Sequence, residues 1–171
     1  RNCVAGDTLP DSCCQEIQYV NGDIVEKLPF HNTSSNKNAI VNAARSDLQG
    51  GGGVDGAIHK AAGKEDLQNA EKRNLDDDNF GSDARCGDGQ AYISDSCGLK
   101  SEGIHHIIHT VAPDISGKES SPKDRENLKN CYINSLLLAK KHNVKSIVFP
   151  CLGSGIFGWR NLGSKHNKGW W

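Results

Sequence analysis

Two glycine-rich segments constrain this chain more than anything else in it. Gly51-Gly52-Gly53-Val54-Asp55-Gly56 and Gly153-Ser154-Gly155-Ile156-Phe157-Gly158 both fit the spacing G-x-G-x-x-G, and both follow a short apolar run. Those runs, Ala39-Ile40-Val41 and Ile147-Val148-Phe149, read as strands buried on both faces. In a parallel sheet the turns that follow the strands lie on one edge, so both loops open onto one crevice. Glycine lets backbone approach a phosphate closely, and free N–H groups at a helix start supply the donors. Two convergent loops of this kind suit a pyrophosphate.

The rest of the chain supports an α/β domain. Ile17 to Val25 alternates weakly and is expected to form a strand ending in the turn Asn21-Gly22-Asp23. After Gly50 to Gly53 the pattern turns helical: Val54, Ala57, Ile58, Ala61 and Ala62 share a face, and Gly63 ends it. Residues 64–85 are polar and predict a helix followed by a surface loop. Ala91-Tyr92-Ile93 and Ile104 to Val111 predict two strands. Ser121-Pro122-Lys123-Asp124 begins a helix that closes in Lys140-Lys141-His142, and Val144 to Leu152 predicts a last strand. Strands alternating with helices imply a largely parallel sheet.

A length of 171 residues suits one domain. A net charge of −1 gives no electrostatic case for a nucleic acid or an anionic membrane as partner. No apolar run approaches the roughly 18 residues that a membrane-spanning helix needs. The seven cysteines are odd in number and scattered, which favours reduced thiols and a cytoplasmic or nuclear setting over a disulfide scaffold or a zinc site. The first residue is Arg1 and methionine is absent, so the chain is expected to be an excised or incomplete piece.

Two nucleotide-binding folds that use glycine loops fit poorly. A dinucleotide-binding domain needs an acid about 20 residues past its glycine turn, at the end of a strand, whereas Glu71 to Asp78 lies in polar sequence without one. A P-loop is excluded because neither segment runs on into Gly-Lys-Ser/Thr.

The wording of these segments resembles the macro domain family. Val41-Asn42-Ala43-Ala44, then Leu48, then Gly50 through Gly63 (GGGGVDGAIHKAAG) is similar to its signature, closest to the hydrolase branch called MacroD-type. Gly22-Asp23-Ile24, Ile108 to Pro113 (IHTVAP) and Ser146 to Gly158 (SIVFPCLGSGIFG) agree in order. The resemblance runs from about Glu16 to Arg160, with residues 1–15 as an irregular lead-in and 161–171 as a divergent tail. It implies a three-layer α/β/α fold on a mixed, largely parallel sheet. It also implies ADP-ribose or O-acetyl-ADP-ribose as ligand, mono-ADP-ribosylated proteins as partners, no metal or other cofactor, and a monomer.

The same resemblance assigns roles. Asp23, with Ile24 beside it, would accept from the adenine amino group. Asn42, Gly52, Gly53 and Val54 would line the distal ribose and phosphates, and Gly153, Ser154, Gly155, Ile156 and Phe157 would form the second phosphate loop. Asp55 would orient or deprotonate water at the anomeric carbon, the chemistry of an ADP-ribosyl-glutamate hydrolase or an O-acetyl-ADP-ribose deacetylase. From the residues alone, Asp55 reads first as a helix N-terminal acid stabilised by the dipole.

Two departures bear on that reading. Arg45 stands where the family has a second Asn, and an arginine cannot accept from a ribose hydroxyl. It is expected to pair with Asp55 or to reach a phosphate, which keeps a non-catalytic ADP-ribose reader as the alternative. The family also continues into further elements where this chain has Asn161 to Trp171, so altered or missing C-terminal elements and a marginally stable or partner-completed domain are expected, with one of Trp170 and Trp171 as a substitute adenine platform. His59 is read as structural, His105 and His109 as sharing a strand face opposite His106, and Tyr92 and Tyr132 as core.

Overall fold

The structure is a computed structural model that describes residues 17–19, 21–26, 37–77 and 86–159. The expected lead-in 1–15, the loop beyond residue 77, the tail 161–171 and both terminal tryptophans lie outside these residues. The described elements are β1 (Lys37–Ala43), α1 (Gly53–Ala62), α2 (Lys64–Asp77), β2 (Ala91–Asp95), a 3-10 segment (Cys97–Glu102), β3 (His106–Thr110), α3 (Pro122–Lys141) and β4 (Val144–Val148).

The strands form one sheet in the order β2-β3-β1-β4. β1 runs parallel to β3 and β4, while β2 is antiparallel to β3. Alternation along β1 divides its side chains between two layers. Ile40 packs with Ile58, Ala62 and Leu67 of α1 and α2. Ala39 and Val41 pack with Cys131, Leu138 and Ala139 of α3. Helices on both faces make the mixed three-layer α/β/α fold, and they explain why β1 is apolar without a break from Ala39 to Val41.

Helices α3 and α1 start differently. Ser121 caps α3 by a reciprocal pair: Ser121 Oγ accepts from the Asp124 N–H at 3.1 Å, and Asp124 Oδ2 accepts from the Ser121 N–H at 2.8 Å. At α1 the N-cap is Gly52, which has no side chain to offer. Its first turn therefore keeps its N–H groups for something other than a side-chain cap.

Three expectations need correction. Among the described residues of 17–25 no strand forms; the Asp23 carboxylate takes the Val25 N–H at 2.9 Å and closes a turn, diverting backbone from a ladder. β4 stops at Val148, ahead of Pro150, which has no N–H to give to a ladder. Ile147 and Val148 of β4, and Phe149 after it, are half-buried rather than buried, β4 being the last strand in the order formed by the described residues. The 3-10 segment was not anticipated.

Candidate functional site

The parallel strands β1 and β4 are neighbours, so the segments that leave their C-terminal ends, 44–52 and 149–159, emerge on the same edge of the sheet. The first leads into α1. Gly53, Val54 and Asp55 form its opening turn, where backbone N–H groups have no acceptor within the helix and the helix dipole favours an anion. Among the described residues, a Cβ placed on Gly52 or Gly53 would meet nothing within 4 Å, and the same holds for Gly155 in the second loop. These glycines border open space. Elsewhere the loop is tight: a Cβ on Gly56 would collide with the Gly51 carbonyl oxygen, so the loop folds back onto its own helix.

Asp55 is buried at the base of this turn. Its Oδ1 accepts from Asn42 Nδ2 at 2.7 Å and lies 3.1 Å from His59 Nδ1, whereas Oδ2 has no hydrogen-bond partner among the described residues. Gly51 lies against that second oxygen, since a Cβ there would come 3.2 Å from Asp55 Oδ2. Burial by itself raises the Asp55 carboxyl, but the bonds from His59 and Asn42 outweigh it and hold the group below the usual carboxylate range. Asp55 is thus a weak base with one oxygen committed and the other uncommitted.

Behind Asp55 lies a buried polar cluster that the sequence reading did not assemble. His59 Nε2 is 3.5 Å from Glu71 Oε1 of α2, and the same oxygen is 3.3 Å from His109 Nδ1 of β3. Asn42 Nδ2 is 3.1 Å from His109 Nδ1, and Ser94 Oγ is 2.9 Å from His109 Nε2. Burial alone would lower the His59 imidazolium, yet the Asp55 and Glu71 carboxylates push it up to about 10, so it is charged at neutral pH. His109 is pushed down to about 3, chiefly by burial, and stays neutral. His59 is thus a buried histidine paired with two carboxylates, Asp55 and Glu71. The available signal was Glu71 itself, a carboxylate four positions after Leu67 on the stripe that also carries Ala70.

The second loop is braced from outside. Gly153 takes a positive φ of 75° with the Trp159 ring packed against it. Trp159 Nε1 donates to the Pro113 carbonyl at 2.8 Å, and the Ile115 N–H donates to the Phe157 carbonyl at 3.0 Å. Ser154 Oγ donates to the Cys151 carbonyl at 2.7 Å. Tyr132 stacks on Phe149 and accepts from the Leu152 N–H at 3.3 Å, so it supports this loop as well as the core. Ile156, at the crest, is 86% exposed.

Arg45 does not pair with Asp55 as expected. Its guanidinium is 3.0 Å from Asp47 Oδ2 and more than half exposed, while its stem lies beside Gly51. A bond between residues two apart in one loop holds the charge at the rim and leaves Asp55 to His59. Ile24 packs into the same apolar cluster as Val54, which places the expected adenine end beside α1. The structure brings Asn42, Asp55, Gly51 and Arg45 together directly. It joins Phe157 to the opposite cluster, beneath α3.

Comparison with known proteins agrees with this geometry. Residues 41–165 match the family model described as Macro domain. The ADP-ribose glycohydrolase MACROD2 of Xenopus laevis is 38% identical over 153 residues, covering 90% of this chain and 31% of that protein. The ADP-ribose glycohydrolase MACROD1 of Rattus norvegicus is 39% identical over 147 residues, covering 86% of this chain and 48% of that one. Among solved structures, the Oceanobacillus iheyensis macrodomain with ADP superposes with a TM-score of 0.63 at 37% identity, over 81% of this chain and 64% of the other. The chain thus spans less than half the length of these two curated relatives.

Proposed function

Because the chain belongs to the macro domain family, we propose that it binds ADP-ribose across its two glycine loops and hydrolyses the ester linking ADP-ribose to an acidic side chain, or O-acetyl-ADP-ribose. The observation that carries this reading is Asp55, buried at the N-terminus of α1 with Oδ1 fixed by Asn42 and His59 and Oδ2 uncommitted. That oxygen is the acceptor for a water held against the anomeric carbon.

In the glycosidic ester, the oxygen of water bonds to the anomeric carbon while the bond to the ester oxygen breaks. The electron pair leaves with the carboxylate, and the water proton passes to Asp55 Oδ2 and on to solvent. A depressed carboxylate suits a transition state in which the sugar carbon becomes cationic before the water loses its proton: the fixed negative charge stabilises the cation, and little basicity is needed. The amides at Gly53 and Val54 and the open faces of Gly52 and Gly155 suit a pyrophosphate, and the exposed Ile156 suits a side chain that covers a bound ligand. Asp23 and Ile24 would serve the adenine end.

Arg45 favours a second reading. Its guanidinium at the rim suits an anion, so the domain would hold ADP-ribose as a reader with little turnover. Calorimetry with ADP-ribose tests what both share, and no heat at millimolar ligand would sink both. Incubation with a glutamate-linked mono-ADP-ribosylated protein then separates them: release of ADP-ribose supports the hydrolase, and binding without release supports the reader.

A further inference from the structure

Two carboxylates from different helices converge on one imidazole. His59 meets Asp55 Oδ1 at 3.1 Å through Nδ1 and Glu71 Oε1 at 3.5 Å through Nε2. Asp55 is one turn before His59 on α1, whereas Glu71 reaches in from α2. Side chains of all three are at most 4% exposed. Resting on the hydrolytic reading above, we propose that Glu71 is a positioning residue for the reaction, holding the far nitrogen of His59 so that a charged imidazole fixes Asp55 Oδ1 and leaves Oδ2 for water.

Groups around the Asp55–His59 pair come from four of the described elements. Asp55 comes from α1, Glu71 from α2, Asn42 from β1 and His109 from β3, with the His109 ring 6.5 Å from that of His59. Gly50 of the first loop approaches the His59 ring so closely that a Cβ would stand 3.0 Å from Cγ. Asp47 acts on Glu71 from the rim through its charge. The imidazole is therefore clamped in position as well as paired.

The arrangement has a cost that a merely structural residue would avoid. Glu71 is 1% exposed and, among the described residues, its carboxylate oxygens meet no hydroxyl or amide donor, only imidazole nitrogens. Burial raises its carboxyl above the usual range, and the neighbouring His59 imidazolium opposes that rise. A leucine would fill this helix face more cheaply. With Glu71 neutralised, His59 would lose one of the two carboxylates that keep it protonated, leaving Nδ1 with the Asp55 side chain and the Asp55 main-chain carbonyl 3.0 Å away.

Glu71→Gln tests this, because it keeps the size of the side chain and removes the charge. Nitrogen-resolved NMR of the His59 ring should find both nitrogens protonated up to about pH 8 in the wild type, whereas the variant should titrate between about pH 5 and 8. In hydrolysis of the glutamate ester, the variant should lose about tenfold in kcat with KM little changed, and should gain a pH dependence across that range. Glu71→Asp should restore part of both signals. Glu71→Met, which keeps the volume without polarity, serves as a second uncharged variant if Gln perturbs folding. A His59 spectrum in the folded variants identical to the wild type at pH 8 would overturn the proposal while leaving the hydrolytic reading intact. A wild-type protein that binds ADP-ribose but releases none from the ester would overturn both, whatever the spectrum.

Discussion

Asn42 and Asp55 stand 13 positions apart in the chain, yet Asn42 Nδ2 donates to Asp55 Oδ1 at 2.7 Å in the protein interior. The bond ties the end of β1 to the first turn of α1, so the sheet itself sets the direction of the Asp55 carboxylate. It also divides the carboxylate into a held oxygen and an uncommitted one.

Asn42→Ala should therefore affect chemistry and stability together. Removing the donor leaves a charged group short of a partner in a dry site, which costs about 1–3 kcal/mol of stability. Asp55 also loses one of the bonds that oppose burial, so its carboxyl should rise. Urea denaturation and kcat for the ester measure the two effects, and a variant equal to the wild type in both would remove Asn42 from the site.

The buried histidines predict how stability varies with pH. His59 moves from 6.5 to about 10 on folding, so its contribution is complete below 6.5 and is lost as pH rises towards 10. His109 moves from 6.5 to about 3, so the unfolded chain takes a proton that the folded one refuses, and stability falls as pH drops below 6.5. The depressed Asp55 adds to the acid-side loss, while the raised Glu71 opposes it within the carboxylate range. Denaturation midpoints should therefore peak near pH 6.5. A midpoint that does not change from neutral to about pH 9.5 would contradict the charge assigned to His59.

Gly51 and Gly56 should separate function from folding. Gly51 has ordinary backbone, but a Cβ there comes 2.9 Å from Arg45 Cδ and 3.2 Å from Asp55 Oδ2. Gly51→Ala should keep the fold and lower kcat by crowding the uncommitted oxygen. Gly56→Ala pushes a methyl group into the Gly51 carbonyl and should cost about 1–3 kcal/mol of stability as overpacking. Thermal melts and kcat for the pair check the contrast.

Arg45→Asn should raise turnover severalfold without a stability penalty. The arginine pairs with Asp47 at an exposed rim, and such a pair contributes about 0–1 kcal/mol. Asparagine supplies an acceptor for a ribose hydroxyl that arginine lacks. Unchanged or reduced turnover would assign Arg45 to ligand binding instead.

Much of the fold was legible because its signals are local. Ala39 to Val41, the Ser121 cap and the two glycine segments announce β1, α3 and the loops within a few residues each. The Ile17 to Val25 strand failed because alternation alone does not reveal that Asp23 captures the Val25 amide. The Glu71–His59–Asp55 convergence could not be read along the chain, since it depends on α2 packing against α1 at one particular rotation. Arg45 stands out by its position in the motif, but its partner depended on how the 44–52 loop folds back and brings Asp47 within reach.

The central claim, that Asp55 directs water at an ADP-ribose ester, is tested most directly by the rate at which Asp55→Ala releases ADP-ribose from a glutamate-linked mono-ADP-ribosylated protein, measured in single turnover beside the wild type. Loss of an orienting carboxylate should slow release by about 100-fold or more. A variant that releases ADP-ribose at the wild-type rate would contradict the claim.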